Sequence, residues 1–370
     1  MLATGLQRWA YQHIAKPMFF RFDPESVHDR ITAVGSRLGA NALTRKACAT
    51  LYRFEHPSLV QTVRGIRFDN PIGLTAGFDK NAQLTRIMPS VGFGFEEIGS
   101  VTGEPCEGNA KPRLWRLPKS QGLVVYYGLM NDGAEAIASR LRHESFAFPV
   151  GISIAKTNNA CTVDLDAGIA DYVKAYRAFV GTGDYLTVNV SCPNAFGGEP
   201  FTTPERLERL LRALDHEVPD KPLFIKLPAD ITHEQFDALA AVASAHRVDG
   251  LILTNLTKRR DRPEIVASEL AGIERGGISG KPVFDASNDL IAHAYKTVGS
   301  RFTIIGSGGV FSAEDAYEKI RRGASLVQLA TGMIFKGPQL IGEINRGLVT
   351  LLQRDGFANV SQAIGAVHRH

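Results

Sequence analysis

From about Gly65 onward, short apolar runs alternate with helical stretches, and there are eight such runs. They are Ile72–Thr75, Gly94–Ser100, Val150–Ile154, Tyr185–Val190, Leu223–Leu227, Gly250–Thr254, Phe302–Gly306 and Leu326–Ala330. Their length and β-branched content read as buried strands. Helical stretches at Thr203–Leu214, His233–Ala245, Ser287–Val298 and Ala313–Arg322 lie between several of them. Strand and helix in alternation imply a parallel sheet with right-handed crossovers. Eight units predict an α/β fold, a closed (β/α)8 barrel of the TIM type. An open doubly wound sheet is the competing architecture. It would be favoured by a GxGxxG loop after the first strand, and Ile72–Asp79 lacks that spacing.

The first sixty residues follow another pattern. Leu2, Leu6 and Trp9 share a helical face, Pro17 is expected to break that helix, and Arg8, Lys16 and Arg21 surround it. Asp23-Pro24 reads as an N-cap followed by proline at the first helical position. That helix should run to about Leu38, and a third should lie around Leu43–Tyr52. Basic and aromatic residues on a short amphipathic stretch suit a membrane interface, and equally a helix packed on a barrel. No stretch is long and apolar enough to span a bilayer, and no signal peptide is expected. The net charge of +4, without arginine-rich blocks, gives no reason to expect nucleic acid. Four cysteines without metal-ligand spacing argue against a disulfide framework or a metal site, and for a reducing compartment.

A barrel concentrates its chemistry on the loops at the C-terminal ends of its strands. Polar residues gather there: Lys80; Ser100 and Thr102; Lys156; Asn189, Cys192 and Asn194; Lys226; Thr254 and Asn255. Gly308, Gly309, Thr331 and Gly332 follow the last two strands, where phosphate sites are frequent. Tight turns alone would also call for glycine. Amides flanking a thiol suit a planar ligand with several donors and acceptors, although Asn and Pro also make ordinary turns. Lys80 and Lys226 end strands, either as structural ion pairs, with Asp79 the obvious neighbour of Lys80, or as cations beside a ligand that gains negative charge.

Asn70–Lys80, Glu97–Thr102, Lys111–Arg116, Asn189–Asn194, Gly276–Gly280, Ile304–Gly309 and Leu326–Pro338 resemble, in that order, the dihydroorotate dehydrogenases. Phe22–His28 resembles the N-terminal segment of the membrane-associated, quinone-using branch, class 2. The resemblance implies a flavin mononucleotide (FMN) enzyme that oxidises dihydroorotate to orotate in pyrimidine synthesis. Flavin contacts would come from Ala76, Gly77, Lys80, Ser100, Ser153, Asn189, Lys226, Thr254, Gly280, Gly308, Gly309, Thr331 and Gly332. Lys80, Asn189, Asn194 and Asn255, with Gly128 and Leu129, would hold the pyrimidine. Cys192 occupies the base position and would take a proton from C5 while a hydride leaves C6 for the flavin; its surroundings would have to lower the thiol's pKa. Residues 1–60 would form a helical membrane and quinone-access segment and residues 61–370 the barrel. Such a protein would lie on the cytoplasmic face of a bacterial inner membrane, with no obligate protein partner.

Three positions depart from the family's pattern. The quinone branch usually carries Ser at the base position; Cys is the habit of the soluble branch, whose acceptors are fumarate or NAD. Val125-Tyr126 stand where the family has an amide before Gly128, and Asn131 or Tyr126 are the candidates to replace it. Ser153 stands at a flavin-contacting Asn, and Leu256 at a Thr or Ser. These leave open a related flavin oxidoreductase acting on another pyrimidine or an enoic acid, a non-redox barrel binding a sugar phosphate, and a membrane-docking scaffold without activity.

Overall fold

The computed structural model describes residues 2–217 and 221–369, without the side chains of residues 2–4, so the expected placement of Leu2 on a shared face lies outside the described residues. The eight expected runs form eight parallel strands: β1 (Ile72–Leu74), β2 (Phe95–Thr102), β3 (Val150–Ala155), β4 (Tyr185–Asn189), β5 (Leu223–Leu227), β6 (Gly250–Leu253), β7 (Thr303–Ser307) and β8 (Leu326–Leu329). They pair in chain order, and β8 closes on β1 through Val327 and Ile72, so the sheet is a closed barrel and not an open one.

Alternation along the strands fills the interior in layers. Phe95, Tyr185, Phe224, Ile252, Ile305 and Leu326 form the lowest layer. Room for these rings comes from glycine: a Cβ on Gly73 would sit 2.3 Å from Phe95, and one on Gly151 2.0 Å from Tyr185. Above lies a polar layer, where Glu97 accepts hydrogen bonds from Thr187 (2.9 Å) and Gln328 (3.2 Å). The next inward positions, Asn189 and Lys226, reach the mouth.

Two further sheets were not read from the sequence. Gln61–Val63 pairs with Ile66–Phe68, and Phe68 plugs the barrel floor edge-on to Phe95. Leu114–Leu117, Gly122–Val125 and Gly277–Gly280 form an antiparallel sheet from the loops after β2 and β6.

At the N-terminus the helix does not break at Pro17. Leu2–Ala10 continues through a π-helical turn, Tyr11–Ala15, into Lys16–Phe19. The wider turn relieves the clash that proline imposes on a regular helix. Asp23 caps Pro24–Ala40 by accepting from the Ser26 N–H at 2.8 Å, and Ala42–Tyr52 follows. This segment is tied to the barrel by a buried ion pair, Arg113 Nη2 to Glu25 Oε1 at 2.7 Å.

Candidate active site

A cavity of about 190 Å³ opens at the C-terminal end of the barrel. Ala76, Gly77 and Lys80 enter from the loop after β1, Ser100 from a bulge in β2, and Gly128 and Leu129 from the loop beneath the added sheet. Asn189, Cys192, Asn194, Lys226 and Asn255 complete the ring. Thr254, Gly280, Gly308, Gly309, Thr331 and Gly332 line an adjoining cavity that shares Ala76, Lys226, Asn255 and Thr331 with the first. Residues more than two hundred positions apart therefore meet at one mouth. Gly280 arrives on the added sheet, whose Ser279 hydroxyl lies 2.9 Å from that of Thr331.

Ser153 is the exception. It is fully buried behind Ser100, the hydroxyls 2.7 Å apart, because the β2 bulge interposes Ser100 between it and the cavity. The expected compensation for the absent amide fails as well. Asn131 is saturated by Thr102 Oγ1, the Leu129 carbonyl and the Gly133 N–H, and the Tyr126 ring faces Arg275 away from the cavity. Tyr127 takes the wall instead, with a buried hydroxyl that has no partner among the described residues. Val125 and Leu256 present apolar side chains there.

The amides hold one another in place. Asn189 Nδ2 donates to Ser100 Oγ at 2.8 Å, and its Oδ1 accepts from the Ser191 hydroxyl at 3.0 Å. Asn255 Nδ2 donates to the Ser191 carbonyl at 2.8 Å. Asn194 Nδ2 donates to the Val125 carbonyl at 2.8 Å.

Both lysines are buried, and neither hydrogen-bonds a carboxylate among the described residues. Asp79 is not the partner expected for Lys80, because its oxygens accept from the Gln83 and Leu84 N–H groups at 2.8 and 2.7 Å. Lys80 Nζ instead sits 4.0 Å over the Tyr127 ring and 3.4 Å from His28 Nε2. Burial brings its pKa down to about 8, against the pull of Asp29, Asp79 and Glu25. Lys226 Nζ donates to Thr75 Oγ1 at 3.1 Å and is likewise lowered by burial, opposed by Glu97 below it. A cation so poorly paired is poised for an incoming anion. The expectation of a lowered Cys192 pKa is reversed: burial pushes the thiol up to about 11.

A third cavity, of about 430 Å³ and almost wholly apolar, lies between the N-terminal helices and the barrel mouth, lined by Phe19, Phe20, Val27, Ile31 and Val34 among others. It shares His28, Phe78, Leu114, Leu123 and Ile334 with the polar cavity. In the sequence His28 stands out only as the last residue of the Phe22–His28 motif. Its place in the wall between the cavities, with Nε2 2.9 Å from the Phe78 carbonyl, emerges only from packing. Burial holds its pKa down near 3.

The family model for dihydroorotate dehydrogenase matches residues 58–352. "Dihydroorotate dehydrogenase (quinone)" of Acaryochloris marina is 38% identical over 96% of this chain and 99% of its own length. The protein of that name from Natronomonas pharaonis is 39% identical over 95% of this chain and 98% of its own length. A crystal structure of DHODH from Eimeria tenella in complex with ferulenol superposes with a TM-score of 0.84 at 30% identity, covering 94% of this chain and 96% of that one. A barrel mouth ringed by amides, lysines and a thiol, and an apolar chamber under N-terminal helices, thus accompany full-length similarity: the chain belongs to the dihydroorotate dehydrogenase family.

Proposed function

We propose that this protein oxidises dihydroorotate to orotate on FMN bound at the barrel mouth and passes the electrons to a membrane quinone. One observation carries the reading: the polar cavity and the apolar chamber share a wall. An electron carrier seated at that wall would present one edge to a charged substrate and another to a lipid.

The residues present fit FMN. Gly77, at φ +103°, has open cavity where a Cβ would point, so a flat ring can lie against its backbone. Gly308 and Gly309 turn with φ +121° and +75°, in a loop whose N–H groups suit a phosphate. FMN, when bound, supplies a two-electron acceptor for hydride. Lys80 would hold the substrate carboxylate, and Asn189, Asn194 and Asn255 would orient the pyrimidine. Cys192 would take the C5 proton. The added sheet over the mouth would keep water out.

Val125 and Leu256 favour a second reading, a related substrate with an apolar edge. Anaerobic mixing with dihydroorotate separates the two, since only a true substrate bleaches the yellow flavin band. Reoxidation by ubiquinone or menaquinone, and not by fumarate or NAD, is the expected outcome; the reverse would assign the soluble acceptors that Cys192 suggests. Docking of the N-terminal helices on a membrane is part of the same proposal: Leu6, Trp9, Ile14 and Met18 are exposed beside Arg8 and Lys16 on the segment that roofs the chamber.

A further inference from the structure

Cys192 stands between two cavities. Behind it lies a pocket of about 10 Å³, room for one water, walled by Lys156, Tyr172, Leu129 and Phe201 among others. Lys156 follows β3 and is 3% exposed. Its Nζ donates to the Phe196 carbonyl at 2.8 Å and lies 3.4 Å from Thr162 Oγ1, both neutral acceptors. Asp171 is turned away, accepting from the Thr157 N–H at 2.6 Å and the Thr157 hydroxyl at 2.8 Å. A buried ammonium without an anion is costly. Two groups across the pocket could become one. Tyr172 is committed, since its hydroxyl donates to the Asn189 carbonyl at 2.7 Å. Cys192 remains.

We propose that Lys156 is the positioning residue for the base: its ammonium, across a pocket the size of one water, is the counter-ion of the Cys192 thiolate. Lys156 also anchors the loop that carries the thiol, because Phe196 lies four residues beyond Cys192. In the base step the thiolate takes the carbon-bound proton and becomes a thiol; bound FMN would be the acceptor for the hydride, with its electron pair, of the second C–H bond. The thiol's proton then passes to solvent, and Lys156 keeps its charge throughout.

The charges around the pair have defined signs. Lys156 and Lys226 favour the thiolate and Glu199 opposes it; burial lowers the pKa of Lys156 itself, and Cys192 and then Asp171 work against that by supporting its ammonium. Tyr172 stays neutral because burial raises its pKa.

The kinetic test rests on the base role proposed for Cys192; the chemical test does not. Alkylation of Cys192 by iodoacetamide, resolved by peptide mass spectrometry in the flavin-loaded protein, reports thiolate against pH. Lys156→Met should raise its midpoint by about one pH unit or more, and Lys156→Arg should restore most of it. The rising limb of the pH profile for flavin reduction by dihydroorotate should move with it. An unchanged alkylation midpoint in a folded Lys156→Met protein overturns the proposal. Should that variant fail to fold, Lys156→Gln replaces it, and an unshifted midpoint there is equally fatal. A midpoint shifted in the variant, together with no flavin reduction by dihydroorotate in the parent protein, would refute dihydroorotate as substrate and leave the Lys156 assignment standing.

Discussion

Lys80 shows how a residue visible in sequence acquires its properties from packing. Its position after the first strand was legible, but its neighbour in the chain, Asp79, turns to the Gln83 and Leu84 N–H groups, and the cation is left over an aromatic ring. With its pKa lowered to about 8 from 10.5, the ligand-free native state releases this proton before the unfolded chain does. Between those values the unfolded state binds more protons, so the contribution of Lys80 to stability rises with pH across that window. Substrate binding has the opposite trend. KM for dihydroorotate should climb above about pH 8 as the ammonium is lost, and Lys80→Met should remove that limb; a KM flat through pH 9.5 in the parent enzyme would refute the role. Cys192→Ala should slow anaerobic flavin reduction by roughly 10²-fold or more, measured by stopped-flow absorbance. The thiol was legible as a candidate; the Tyr127 wall, the saturation of Asn131 and the retreat of Ser153 were not, because each depends on a bulge or loop that brings together residues distant in sequence.

At the level of elements, legibility followed burial. Barrel strands are covered on both faces and read as continuous apolar runs, so all eight were visible. The antiparallel sheet over the mouth has strands of four residues, one interrupted by Arg116 and another some 150 positions downstream, and no periodicity joins them. The Asp23 cap was legible because its chemistry is local. The link between the Phe22–His28 and Lys111–Arg116 motifs, by contrast, is the Glu25–Arg113 pair, with both side chains 5% exposed. Glu25→Ala would leave the Arg113 guanidinium buried without its carboxylate and should cost about 3–5 kcal/mol in urea unfolding. Quinone reduction should suffer more than reduction of the flavin by dihydroorotate, since the helices line the apolar chamber broadly and reach the polar cavity only through His28. Equal loss in both half-reactions would contradict that division.

Taken as a whole, the molecule has a polar mouth, an apolar chamber beside it, and a surface of exposed apolar side chains outside the chamber. No helix among the described residues is long and apolar enough to cross a membrane. Trp9, 54% exposed on the outermost helix, should shift its fluorescence to the blue when vesicles containing anionic lipid are added, and Trp9→Asp should weaken co-sedimentation; an unaltered emission spectrum would argue against docking through this face. The sequence alone left the electron acceptor in conflict, with the thiol pointing one way and the N-terminal segment the other. The relatives named above carry quinone in their names, and the chamber is built from that segment.

The partition bearing His28 and Phe78 has a kinetic corollary. On the proposed reading, donor and oxidant would take separate volumes and exchange electrons only through the flavin, so double-reciprocal plots at varied quinone should run parallel. Each reactant can then saturate its own compartment without competing for the other.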